Sequence, residues 1–417
     1  MNKLKFVVDK KNYHKFKGAD WPSYESFIAG DYKMPDHIKQ EIDEFVSIMD
    51  EKYEDLTNPK IKELSLANQM RQNQTFYNKK YQGGKCHVPW NTLGVNVNGN
   101  VFICESPSWI PIFVGNILET STIYDILNNN ESKKIRQEIL AGRYFYCNSS
   151  ICNFFKDKTL GNTNNDSDDL RSLDLVDNEN LYVRQIPTNL IFDFDYTCNF
   201  KCPSCRTEYQ NYNNDPIVRT TNNNILEKIK KLIIDQINDQ PIVIRWCGGE
   251  PFISESYIEL FDYIVSTNKK NISHVVQTNG SVLKSKSSLL EKFLPYIQDL
   301  RISFDAATEE TYKKVRVGGN WNNLIENVKF VKQLIEINNF ETKISADFVV
   351  QLDNYKEIPK FVKLCKTIGI KNYNLQKMWN WGTWDKETFM QKNVYDENHV
   401  LYTDLQKYLA ALDEYHE

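Results

Sequence analysis

The sequence predicts an α/β protein: a partial (β/α)6 TIM-like barrel preceded by a smaller N-terminal module rich in cysteine. Three observations predict it. From Pro187 onward, short apolar runs alternate with amphipathic stretches, giving six strands in the pattern of a parallel sheet with right-handed crossovers. Ahead of that lies Gly161-Asn162-Thr163-Asn164-Asn165-Asp166 followed by Ser167-Asp168-Asp169, a composition that cannot bury much surface and reads as a linker. Ahead of the linker, Cys86, Cys104, Cys147 and Cys152 fall among short strands and one or two helices. The expected divisions are an N-terminal helical region at 1–80, a cysteine module at 81–155, a linker at 156–187, the barrel at 188–385 and a C-terminal helix at 386–417.

In chain order, Asp36 to Lys52 reads as a helix with Ile38, Ile42, Phe45, Val46 and Met49 on one face. Asn98-Gly99 between Val95, Val97, Val101 and Ile103 signals a hairpin turn, which would bring Cys86 and Cys104 together at its open end. Helices follow at Ile123–Leu127 and around Ser132–Ala141. In the barrel, strands are expected at Asn189–Tyr196, Ile242–Trp246, His274–Gln277, Leu300–Phe304, Ile344–Val350 and Tyr373–Met378. Helices are expected at Ile225–Ile237, Tyr257–Val265, Ser287–Leu294, Asn322–Ile337 and Ile358–Thr367, with a terminal helix over Val394–Tyr415. In such a barrel the chemistry sits at the carboxyl ends of the strands.

Composition narrows the function. A net charge of -4 gives no reason to expect a nucleic-acid partner, which usually requires a clustered basic excess. No apolar run reaches the roughly 18–20 residues of a membrane helix, and Met1 to Lys10 lacks an apolar signal core, so a cytoplasmic location is expected. The nine cysteines are odd in number and mostly clustered; in a reducing compartment they read as metal or iron–sulfur ligands rather than disulfides.

The sharpest motif is Cys198-Asn199-Phe200-Lys201-Cys202-Pro203-Ser204-Cys205, directly after the first barrel strand. Three thiolates on one short loop can hold three irons of a cubane and leave the fourth open. A zinc knuckle completed by a distant ligand is the other use of such spacing. One βα unit later comes Gly248-Gly249-Glu250-Pro251, whose glycines permit close backbone approach and whose carboxylate can accept from an ammonium group.

These features resemble the radical S-adenosylmethionine (SAM) superfamily over roughly residues 188–385. The resemblance implies that Cys198, Cys202 and Cys205 carry a catalytic [4Fe–4S] cluster whose open iron chelates SAM. It further implies that one electron cleaves the cofactor to a 5′-deoxyadenosyl radical, which abstracts a substrate hydrogen atom. Gly248, Gly249 and Glu250 would form the methionyl-amine motif. Ser303 and Arg316 resemble residues that contact the cofactor's ribose or carboxylate, although Arg316 can equally be read as pairing locally. A flavodoxin- or ferredoxin-type electron donor is implied.

Cys86-His87-Val88-Pro89-Trp90, the Gly115-Asn116-Ile117 segment and the closing Cys147 and Cys152 resemble the SPASM and twitch modules of the same superfamily. The resemblance implies a second, auxiliary [4Fe–4S] cluster on Cys86, Cys104, Cys147 and Cys152; a structural zinc ribbon remains the other reading. Four cysteines suit one cluster, hence a twitch-like module, and its place ahead of the barrel is unusual. Full cysteine ligation would favour electron transfer, and so a net oxidation or modification of a peptide, amino-acid-like or sugar-like substrate. Two other classes stay open: an iron–sulfur electron carrier, and a zinc-stabilised adaptor with an inactive barrel.

Overall fold

The computed structural model describes residues 86–107, 109–110, 113–140, 146–147, 152, 176–177, 181–381, 383–410 and 412. The helix expected at Asp36 to Lys52, the rest of 1–80 and most of the 156–187 stretch lie outside them. The chain divides into two compact units. Among the described residues, one gathers Val95–Gly99 with those of Thr188–Glu417, and the other holds the rest of the cysteine module up to Pro187.

The module opens with a short helix α1 (Val88–Asn91), with Pro89 in its first turn, and continues into strand β1 (Thr92–Asn96). Asn98 and Gly99 both take positive φ, 58° and 78°, and turn the chain into β2 (Asn100–Phe102), as the Asn-Gly pair predicts. Strand β3 (Gly115–Asn116) pairs antiparallel with β2. Helix α2 (Ile123–Leu127) is capped by Thr122, and α3 (Asn130–Leu140) follows. The core is Trp90, Leu93, Phe102, Ile117, Ile126 and Ile135, all nearly inaccessible. Among them the Arg136 guanidinium is fully buried, donating to Pro89 O (2.9 Å), Leu127 O (2.6 Å) and Leu181 O (3.3 Å). Strands β4 (Val176–Asp177) and β5 (Tyr182–Val183) form a small antiparallel ladder.

The second unit is built on six strands: β6 (Asn189–Asp193), β7 (Ile242–Trp246), β8 (Ile272–Thr278), β9 (Ile297–Ser303), β10 (Lys343–Val350) and β11 (Asn372–Lys377). Each is parallel to the next, in chain order. This is the partial (β/α)6 arrangement the alternating pattern predicts.

The intervening helices are α4 (Pro216–Leu232), α5 (Glu255–Ser266), α6 (Ser287–Phe293), α7 (Glu309–Val315), α8 (Trp321–Asn338) and α9 (Ile358–Ile368). Helix α4 starts earlier than its apolar periodicity suggests, because Asp215 accepts from Ile217 N and Val218 N, and Pro216 supplies the first helical φ. Helix α7 was not expected; it is short, mostly charged, and capped by Thr308. The expected single terminal helix is instead two, α10 (Lys386–Lys392) and α11 (Tyr402–Ala410). Asp396 interrupts them by accepting from Asn398 N (2.9 Å), the local bond with which Asp favours turns. Among the described residues, no helix is long and apolar enough to cross a membrane.

The sheet has two unlike faces. Toward the helices it is aromatic: Trp246 stacks on Phe261 (centroids 5.2 Å apart), and Phe261 on Phe293 (4.1 Å). His274 is fully buried there, its Nδ1 accepting from Trp246 Nε1 at 3.1 Å. Alternate residues look the other way, into the barrel, and many are polar: Gln277, Asp299, Arg301, Ser303, Ser345 and Asp347.

Candidate functional site

The three-cysteine loop leaves the end of β6 and is fixed before it reaches its first thiol. Asp195 accepts from Thr197 N (2.9 Å) and from Ser254 Oγ (2.6 Å), the residue that caps α5. The Tyr257 hydroxyl meets Asp195 N (3.1 Å), Cys247 O (2.8 Å) and Phe192 O (3.2 Å), joining the strand ends of β6 and β7. Cys198 N then donates to Gln210 O (2.7 Å), and a tight turn brings Cys205 N (2.8 Å) and Arg206 N (3.0 Å) onto Cys202 O.

The Gly-Gly pair after β7 packs against this loop. Gly249 lies so close to it that a Cβ would stand 2.2 Å from Thr197 O, and Glu250 N donates to that same oxygen at 2.7 Å. Gly248 has φ +93°, and its added Cβ would meet Asp193 Oδ1 at 2.6 Å. The close approach expected toward a ligand is therefore made first to the chain's own cysteine loop.

Glu250 is buried, at 1% exposure. Its Oε1 accepts from Thr278 Oγ1 (2.7 Å) and Phe252 N (3.3 Å), and its Oε2 from Asn279 N (2.6 Å). A carboxylate has about four lone-pair sites, so most of its capacity already ties the loop after β7 to the loop after β8. Burial pushes its pKa up, against the hydrogen bonds from Asn279, Thr278 and Phe252.

Two buried arginines flank the sulfurs. Arg206, which the sequence reading passed over, donates to Tyr196 O (2.8 Å), Gln210 Oε1 (3.3 Å), Gly248 O (2.9 Å) and Cys205 Sγ (3.6 Å). Its position next to Cys205 was the available signal. Arg316 ends α7, pairs with Asp305 Oδ2 (3.2 Å), and sits over the Phe200 ring at 5.5 Å. Its side chain is 13% exposed, so its local pairing is a buried one. Burial disfavours its charge, yet Cys202 and Asp305 together raise its pKa. Its Nε is buried without a hydrogen bond.

Of the thiols, Cys202 is pushed up to about 12, first by burial, with Arg316 pulling the other way. Cys198 is also raised by burial and opposed by Arg206; it accepts from Phe200 N (3.4 Å) and Asn279 Nδ2 (3.8 Å). Ser303 ends β9 and accepts from Gln277 Nε2 at 2.8 Å, inside the barrel. Cys247 lies at the end of β7, half-buried, and Cys365 is buried in α9.

In the module, Cys104 and Cys152 are buried and Cys86 and Cys147 half-buried, all as free thiols. Burial raises Cys147 strongly, with Cys86, Cys104 and Cys152 adding to it. Burial likewise lifts Cys86 to about 12, with Cys152 contributing. The four sequence-singled cysteines are thus electrostatic neighbours. Among the described residues, no group of three or more His, Cys, Asp or Glu side chains converges as ligands of one metal ion would. A cubane spreads its thiolates over separate irons and does not demand that convergence.

Residues 194–365 match the radical SAM superfamily, and residues 86–153 match SPASM, an iron–sulfur cluster-binding domain. The chain therefore carries a radical SAM domain and a SPASM domain, which imply a [4Fe–4S] cluster with SAM and an auxiliary iron–sulfur cluster. The donor sets fit. The loop offers three thiols, two guanidinium groups to offset negative charge, and a buried Arg316 N–H with no partner; the module offers four mutually close thiols.

Among curated proteins, the chain is 28% identical over 178 residues to one named "Probable GTP 3′,8-cyclase" from Methanococcus maripaludis, covering 41% of this chain and 53% of that protein. It is 25% identical over 182 residues to one of the same name from Saccharolobus islandicus, covering 43% and 53%. The chain thus spans about half the length of these curated relatives. Among solved structures, SuiB of Streptococcus suis bound to S-adenosylmethionine aligns at 18% identity and TM-score 0.32, over 46% of this chain and 39% of that one. Native anSMEcpe with bound AdoMet aligns at 19% identity and TM-score 0.33, over 46% and 51%.

Proposed function

We propose that the chain is a radical SAM enzyme in which Cys198, Cys202 and Cys205 hold the catalytic [4Fe–4S] cluster and Cys86, Cys104, Cys147 and Cys152 an auxiliary one. The observation that carries this reading is the joint fixing of the three-thiol loop, the Gly-Gly turn and two buried arginines at the carboxyl ends of β6 to β9. When bound, the cluster and SAM supply a 5′-deoxyadenosyl radical.

The residues themselves position and shield. Arg206 locks Gly248 O to the Cys205 sulfur, so the glycine turn and the cysteine loop keep one register. Glu250 clamps the next loop through Thr278 and Asn279, leaving backbone rather than its own carboxylate as the main surface for a methionyl amine. Arg316, steadied by Asp305, holds a positive charge beside Cys202 with one buried N–H still to give, which suits a carboxylate. Ser303, oriented by Gln277, presents a hydroxyl inside the barrel.

The substrate we favour is a peptide or an amino-acid-like or sugar-like metabolite. It would be oxidised or otherwise modified, with the auxiliary cluster aiding electron transfer and a flavodoxin- or ferredoxin-type donor supplying reducing equivalents. The name carried by the curated relatives makes GTP the second substrate to try.

The test is anaerobic reconstitution with iron and sulfide, reduction, and addition of SAM. The expected outcome is 5′-deoxyadenosine, from protein carrying about eight irons per chain as two cubanes require. Zinc in place of iron, with no deoxyadenosine, would favour the adaptor reading instead.

A further inference from the structure

We propose that Asp347, on the interior face of β10, binds an ammonium or guanidinium group, so that the barrel interior selects an amine-bearing, cationic substrate. The proposal rests on the reading above that the reaction takes place in this barrel.

Placement comes first. Phe348 meets Phe361 of α9 with ring centroids 4.7 Å apart, so it points to the helices, and strand alternation points Asp347 the opposite way. Asp347 is level with Ser303 of β9 and Asn374 of β11 in the sheet register. It therefore stands on the face where Ser303 presents its hydroxyl, one strand from the end of β9.

The carboxylate is half satisfied. Oδ1 accepts from Asn374 Nδ2 at 2.6 Å, whereas Oδ2 is buried and has no hydrogen bond. Asp347 as a whole is 2% exposed. Gln277 also acts on Asp347 as a side-chain hydrogen-bond donor that favours the charged form, while its close bond of 2.8 Å goes to Ser303 Oγ. A buried acceptor without a donor is costly to keep, and a fold tolerates it most readily where something else completes it.

Charge then selects the kind of donor. Of the carboxylates on β9, β10 and the loop between β9 and α7, Asp299 pairs with Arg301 at 2.9 Å and Asp305 with Arg316 at 3.2 Å. Among the described residues, Asp347 makes no such ion pair. A neutral donor would fill its hydrogen bond; a cation would also neutralise it. Burial already raises its pKa, against Asn374, Gln277 and Arg301, and an arriving cation would reverse that shift. Gln277, Arg301 and Ser303 around it are half-buried, so the surrounding face is not sealed throughout.

The experiment uses the reconstituted full chain with n-butylammonium chloride as probe and n-butanol as its neutral counterpart, read by ligand-observed NMR. Wild type is expected to bind the ammonium at least about tenfold more tightly than the alcohol. Asp347→Asn, which keeps the side chain's shape, should abolish that preference, and Asp347→Ser should do the same if the first variant misfolds. Equal affinity of wild type for both probes would overturn the proposal, as would a preference that survives substitution. Deoxyadenosine formed by the wild-type preparation, measured alongside, reads the radical SAM assignment alone. Its absence would remove that assignment whatever the probes do.

Discussion

Around Cys198, Cys202 and Cys205, two buried guanidinium groups stand within electrostatic reach of sulfur. Around Cys86, Cys104, Cys147 and Cys152, the thiols meet chiefly burial and one another. The module does own a buried arginine, but Arg136 directs its Nε and Nη1 to carbonyl oxygens of Pro89, Leu127 and Leu181, and no cysteine figures in what shifts its pKa. In the barrel loop the protein itself helps to stabilise thiolate. In the module, on the proposed assignment, deprotonation would rest on the metal, since a ligand thiol must lose its proton to bind. The difference suits two tasks. A cluster with an open iron must keep its site shaped while cofactor comes and goes, whereas a fully ligated one is held by its own bonds.

The largest expected effect breaks the two apart. Cys202→Ser should abolish deoxyadenosine formation while the module's iron and its visible absorbance remain. Cys104→Ala should remove about half the iron, one cubane of two, and leave SAM cleavage without added substrate in place. Loss of both clusters from either single variant would erase the distinction between the two sites.

Removing Arg206 comes next. Arg206→Leu strips donors from Tyr196 O and Gly248 O and leaves Cys205 without its cation. Breaking a buried charged network of this kind costs about 3–5 kcal/mol, read as a lower urea midpoint of the barrel. Cluster loading of the barrel loop should fall with it, and loading of the module should not. If the two clusters load equally poorly, the arginine serves general stability rather than the loop.

How much of this was legible beforehand follows from what each feature depends on. The six strands were readable because parallel strands buried on the helix side announce themselves as apolar runs, as in Ile242–Trp246, whose bounds match the structure. The Asn98-Gly99 turn was readable because only a few residue types accept two successive positive φ values. Helix α7 was missed because Glu309–Val315 is short and mostly charged, so it carries no apolar stripe; its one signal was Thr308.

At the site, cysteine spacing and the Gly-Gly pair were visible because they are local. Arg206, Tyr257 and Ser254 were not, because their role is to join segments distant in sequence, such as Ser254 to Asp195 and Tyr257 to Phe192. Glu250 shows the limit most plainly. Its position was legible, but the three hydrogen bonds that occupy it come from residues on two different loops.

The smallest effect separates the barrel from the module by pH. His274 is wholly buried between Trp246 and Phe261, and burial lowers its pKa from 6.5 to about 3. It stays neutral in the folded chain, where Nδ1 must remain unprotonated to accept from Trp246 Nε1. In the unfolded chain it titrates near 6.5. Stability from this group is therefore complete above that value and is lost as pH falls toward 3, because the unfolded state takes up a proton that the folded state refuses. Between about pH 7.5 and 5.5 the loss is about 1.4 kcal/mol. His274→Gln keeps an acceptor for the indole and cannot titrate, so its barrel unfolding should be flatter with pH by that amount. Urea melts of both chains at the two pH values check it. Parallel slopes would mean that His274 is reached by protons in the folded barrel, and that the aromatic layer beneath β7 and β8 is less closed than its packing indicates.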